Sequence, residues 1–123
     1  MKIQASAEDY LESILVLTQK KGRVRSVDIA QHMGFSKPTV SIIMKQFKEN
    51  GYIEIASDRT ITLTEKGAAI AAKTYEYHML FANFLMDIGV DEETAYADAC
   101  KIEHSISETS FEKFKEFYKG YKP

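Results

Sequence analysis

Cys100-Lys101-Ile102-Glu103-His104 sets a thiol, a carboxylate and an imidazole at positions i, i+3 and i+4. That spacing brings side chains to one face of a helix, where the three can converge on a single metal ion. Elsewhere, Asp9 and Glu12 form an acidic pair at helical spacing, and His78 stands alone in a long helical pattern. One site drawing ligands from three segments would employ all six residues, and carboxylates with two imidazoles suit a first-row divalent cation. Taken singly, each residue has a plainer use. Asp9 can be a capping-box acid, Glu12 and the Glu103-His104 pair solvated charges, Cys100 a small buried hydrophobe and His78 a core imidazole.

The elements that must carry these residues follow from capping signals and periodicity. A first helix is predicted from Ser6 as N-cap, with Asp9 at N3, burying Leu11, Ile14, Leu15 and Thr18 and stopping at Gly22. A short second helix runs from Ser26 as N-cap to His32 and stops at Gly34; a third opens with Ser36 as N-cap and Pro38 in its first turn and ends at Asn50-Gly51. After Gly51 the apolar pattern alternates: Ile53 and Ile55, then Ile61 and Leu63, around the turn-rich Ser57-Asp58-Arg59-Thr60, which predicts a two-stranded hairpin. A long helix follows from Thr64 to Met86, ending near Gly89. Asp91 then caps a helix to Ile106, and Ser107 caps a last one bearing Phe111, Phe114, Phe117 and Tyr118.

With 123 residues the chain can form one domain or two small modules. A formal charge of -2 and a pI of about 5.9 announce no polyanion partner, so charge location has to carry that argument. One cysteine excludes an internal disulfide. No apolar run follows Met1-Lys2-Ile3-Gln4, and the longest small-apolar stretch, Ala68 to Ala72, is far short of the roughly 20 residues of a membrane span. A cytoplasmic protein with no membrane partner is expected.

Helix, short helix, tight turn, third helix, then hairpin is the order of a winged helix-turn-helix, whose third helix enters the major groove of double-stranded DNA. Ser36, Lys37, Pro38, Thr39 and Ser41 stand at the N-terminal end of that helix, where free backbone N–H groups and a positive dipole end favour phosphate. Arg59 at the hairpin tip is the natural wing contact. Arg25 and Lys45, with Arg23 and Lys48, add a local basic excess that the acidic C-terminal half conceals. The third helix has no Arg, and its one Gln, Gln46, comes late, so bidentate base contacts are scarce and specificity leans on thymine methyl groups and DNA shape.

The segments Ala7-Glu8-Asp9-Tyr10-Leu11-Glu12, Ser36-Lys37-Pro38-Thr39-Val40-Ser41, Ala56-Ser57-Asp58-Arg59 and Cys100-Lys101-Ile102-Glu103-His104 resemble the diphtheria toxin repressor family of metal-dependent regulators. The similarity covers nearly the whole chain and is nearest to the manganese transport regulator branch. It implies a mainly α protein: an N-terminal winged helix-turn-helix DNA-binding domain with a two-stranded wing over 1–70, then an all-helical metal-binding and dimerisation domain over 71–123. It also implies Asp9, Glu12, His78, Glu103 and His104 as metal ligands. Cys100 stands where the manganese branch has a glutamate and the iron-responsive branch a cysteine, whereas Asp9 stands where the iron branch has a methionine. The chain is a hybrid on this resemblance, which implies manganese(II) or iron(II) as cofactor and allows cobalt or zinc in vitro. Ala82 and Tyr96 stand where the iron branch's ancillary site has a glutamate and a histidine, so the resemblance implies one main site, binuclear if the carboxylates bridge.

The implied function is repression of metal-uptake genes by a homodimer bound to operator DNA. The aromatic stripes at Phe81, Phe84, Phe111, Phe114 and Phe117 are the expected dimer contact. Two other classes stand beside it. A metal-independent winged-helix regulator would sense an organic ligand in an aromatic C-terminal pocket. A small metalloenzyme would need an acid-base group or nucleophile motif, and the sequence shows neither.

Overall fold

The computed structural model describes residues 5–121. The element order is α1 (Ala5–Lys21), α2 (Ser26–Met33), α3 (Lys37–Glu49), β1 (Ile53–Ile55), β2 (Ile61–Leu63), α4 (Glu65–Asp87), α5 (Glu92–Glu103) and α6 (Glu108–Tyr121). Contacts divide the chain into two units, Met1–Lys73 and Thr74–Pro123, with the boundary inside α4. No helix among the described residues is long and apolar enough to cross a membrane.

In the first unit, Leu11 and Ile14 of α1, Ile29 of α2, Val40, Met44 and Phe47 of α3, and Ile53 and Ile61 of the hairpin form one buried core. The strands are antiparallel in the register Ile53↔Leu63, Glu54↔Thr62 and Ile55↔Ile61. Period-two alternation turns the four apolar side chains inward while Glu54 and Thr62 stay exposed. Ile61 N–H also donates to Val24 O at 2.7 Å, so the α1–α2 connection flanks the wing. At the start of α4, Thr64 Oγ1 accepts from Gly67 N–H at 3.2 Å and donates to Gly51 O at 2.7 Å. Gly67 is fixed by proximity: a Cβ there would lie 2.0 Å from the Tyr52 carbonyl oxygen.

Two expected caps are corrected. Ser6 lies inside α1, with its side chain outside the described part, so Asp9 sits past the first turn and cannot be the acid of a box capped there. Ser26 is the first residue of α2; its N-cap is Arg25, whose N–H donates to Asp28 Oδ2 at 2.9 Å. Thr18 is exposed rather than buried, its hydroxyl donating back to Ile14 O at 2.7 Å.

The second unit packs Tyr77, Phe81 and Ala82 of α4 with Ala99 of α5 and Phe111 of α6. The rings interlock: Tyr77 stacks on Phe111 at 3.6 Å and Phe81 on Phe114 at 4.9 Å. Phe81 and Phe111 thus belong to this unit's own core, Phe84 and Phe114 are half-buried against it, and Phe117 is the member of the aromatic set left outside. Helix α5 ends at Glu103, three residues before the expected Ile106, because Ser105 N–H turns back to Ile102 O and Ser107 Oγ caps the next helix through Ser110 N–H.

Candidate metal centre and nucleic-acid interface

Within the second unit, α4 supplies His78 and the end of α5 supplies Cys100, Glu103 and, as its C-cap, His104. His104 keeps right-handed helical dihedrals (φ −91, ψ −9), so the face begun by Cys100 and Glu103 continues through it. A Cys100 Sγ, a Glu103 carboxylate oxygen and a His104 ring nitrogen lie within 4.8 Å of one another. Donors each about 2.0–2.3 Å from one ion would be spaced at close to this limit. Glu103 Oε2 lies 3.5 Å from His78 Nδ1 and Oε1 lies 3.4 Å from His104 Nε2. The His78 ring is oriented by stacking on Tyr96, 5.5 Å between centroids.

Glu103 has no exposed side-chain surface, and neither of its oxygens accepts a hydrogen bond among the described residues. A carboxylate taken out of water without hydrogen bonds is costly, and a bound cation removes that cost. The thiol and two imidazoles arrayed around it form a donor set that fits a divalent transition metal. Asp9 and Glu12 belong to α1 of the first unit, three residues apart and both half-buried.

The second constellation is the exposed side of α2, α3 and the hairpin in the first unit. Gly34 takes a left-handed conformation (φ 75), and both its N–H and that of Phe35 return to Ala30 O, which makes the turn short. Ser36 caps α3 as expected: its Oγ accepts from Thr39 N–H at 3.3 Å and donates to Thr39 Oγ1 at 2.8 Å. Lys37, Pro38, Thr39, Ser41 and Lys45 are exposed, as are Arg25 and Arg59. Arg59 occupies the left-handed region (φ 72) at the hairpin tip, where its N–H donates to Ala56 O.

Two features escaped the sequence. Arg23 donates to Asp58 and, at 3.1 Å, to Thr60 Oγ1, so it braces the wing instead of adding a loose positive charge. The Thr60 backbone and hydroxyl, with Arg23, hold the Asp58 carboxyl down at about 2. The other is Ile42, exposed on α3; its position off the Val40, Met44, Phe47 stripe was the available signal.

Comparison with known proteins finds two family models in tandem. The iron dependent repressor N-terminal DNA binding domain matches residues 2–61, and the iron dependent repressor metal binding and dimerisation domain matches 64–122. The transcriptional regulator MntR of Escherichia coli O157:H7 is 37% identical over 110 residues, covering 89% of this chain and 71% of the relative. The HTH-type transcriptional regulator MntR of Bacillus subtilis strain 168 is 35% identical over 108 residues, covering 88% and 76%. The solved structure of the manganese regulator SloR superposes with a TM-score of 0.80 at 27% identity, covering 97% of this chain. The chain spans 55% of that structure's length.

Proposed function

This chain belongs to the iron-dependent repressor family of metal-dependent transcriptional regulators, and from that premise we propose that it binds operator DNA as a homodimer when loaded with a divalent transition metal. It is a regulator and not an enzyme. His78, Cys100, Glu103 and His104 provide the ion's ligands from the second unit, and Asp9 and Glu12 complete the set from the first. The ion fixes the orientation of the reader relative to the dimerising unit. Two copies of α3 then address successive major grooves about 34 Å apart. Operator DNA tightens metal binding by the same factor that metal tightens DNA binding. The genes repressed are those of manganese or iron uptake.

The observation that carries this reading is Glu103: a fully buried carboxylate without hydrogen bonds, beside two imidazoles and a thiol. Asp9 supports manganese, while the Cys100 thiolate softens the site toward iron(II), cobalt or zinc. A metal-independent sensor of an organic ligand is not favoured, because the aromatic rings that would line its pocket pack against one another.

The test is a DNA-binding titration with chelator and then with manganese, iron(II), cobalt and zinc, repeated for Cys100→Ala and Asp9→Ala. Affinity that chelator leaves unchanged refutes metal dependence. Loss of activation in Asp9→Ala with retained metal binding by the second unit assigns Asp9 the coupling role. A Cys100→Ala effect larger with iron(II) or cobalt than with manganese assigns the thiolate its selectivity.

A further inference from the structure

Ile42 is 62% exposed in the middle of α3, whereas Val40, Met44 and Phe47 on the opposite side of the same helix are buried. A β-branched side chain lowers helix propensity and, left in water, returns no burial energy to the fold. Ile42 shares its face with Pro38, Ser41 and Lys45, the stripe set by helical spacing, and all four are exposed. Ser36 and Thr39 at the start of the helix already hydrogen-bond each other. Gln46, able to make a bidentate base contact, lies a full turn beyond Ile42. Near the N-terminal end the stripe therefore offers cations and hydroxyls for phosphate and one large apolar surface for a base edge.

Resting on the DNA-binding reading above, we propose that Ile42 reads the C5-methyl group of a thymine in the major groove. That methyl is the only apolar group a base pair presents there, so contact with it distinguishes T from C and from both purines. Lys45, one turn along the same stripe, sets the register by holding a phosphate while Ile42 meets the base. The pairing buries two methyl-bearing surfaces that would otherwise both face water.

The experiment selects duplexes from a random pool with the full-length chain in manganese chloride. Each thymine of the recovered consensus is then replaced by deoxyuridine, which keeps base pairing and removes the methyl alone. The wild type should lose about fourfold in affinity at one thymine per half-site, the worth of one buried methyl group. In Ile42→Ala that uracil penalty should disappear while the melting temperature does not fall, since a side chain 62% exposed returns little burial energy and alanine is the better helix former. A consensus with no methyl-sensitive thymine overturns the proposal, and so does a penalty of equal size in wild type and Ile42→Ala. Recovery of no consensus with manganese or with iron(II) overturns operator binding itself, and this inference with it.

Discussion

The Glu103 carboxylate and the His78 imidazole meet at 3.5 Å across two helices, α5 and α4, with Glu103 wholly withdrawn from water. The second imidazole, of His104, stands 3.4 Å from the other oxygen. The arrangement stabilises an added cation far better than it stabilises its own empty form.

Glu103→Gln tests this directly. The amide removes the buried negative charge while keeping the volume, so the chelator-treated variant should be at least as stable as the wild type. Manganese at a hundred times its Kd should raise the unfolding free energy of the wild type by about 2.7 kcal/mol. The variant should show almost none of that gain. Urea denaturation with and without manganese measures both, and an equal metal-induced gain in the two proteins would show that Glu103 is not a ligand.

Ser36 caps α3, and the DNA-binding reading proposed above sets it against phosphate; substitution can separate the two. Ser36→Ala should cost about 1 kcal/mol by removing the oxygen that accepts from Thr39 N–H. Ser36→Asp keeps a capping oxygen and should hold stability near wild type, yet it sets a negative charge against the phosphates. The Asp variant should therefore melt normally and bind DNA at least tenfold more weakly, about 1.4 kcal/mol. Equal loss of DNA binding and of stability in both variants would reduce Ser36 to a cap.

What the sequence made legible is what is local. Ser36, Asp91 and Ser107 were readable as caps because a cap is an i to i+3 relation, and Cys100, Glu103 and His104 because i, i+3 and i+4 share a helix face. Ser26 misled because Asp28 caps the backbone of Arg25 one residue earlier, a competition between neighbouring candidates that composition does not decide. The His78–Glu103 contact and the Arg23–Asp58 brace join residues far apart in the chain, and no spacing rule reports them. The aromatic stripe was visible, but its division between core and surface depends on how α4 and α6 pack.

Gly67→Ala should be disruptive. The new Cβ would meet the Tyr52 carbonyl oxygen at 2.0 Å, and a backbone oxygen cannot swing aside as a side chain can. A cost of about 3 kcal/mol or more is expected, the upper range for overpacking. Chemical denaturation measures it; a change below about 0.5 kcal/mol, the size of an ordinary surface substitution, would mean that α4 shifts freely against the wing.

Arg59 holds a left-handed conformation that a glycine adopts without strain. Arg59→Gly should thus raise stability by about 1 kcal/mol while weakening DNA binding. If the guanidinium meets a phosphate, the slope of log affinity against log salt should fall by about 1. Unchanged affinity and slope would remove the wing tip from the interface.

Tyr118 gives the fold an alkaline limit. Its hydroxyl is buried and donates to Asp87; burial first, then the neighbouring carboxylate, pushes the phenol up to about 12 from 10.0. A group whose folded pKa is raised contributes stability that is fully present below the unfolded value and is lost as pH climbs through the folded one. The wild type should accordingly lose this contribution between pH 10.0 and about 12. Tyr118→Phe should cost about 1.5–3 kcal/mol at neutral pH, the worth of a hydrogen bond to a charged acceptor. Because phenylalanine has no proton to lose, the stability gap between the two proteins should narrow across the same alkaline window. Denaturation curves for both at pH 8, 10 and 11 decide it: a gap that stays constant would mean that the Tyr118 proton is not held by the fold.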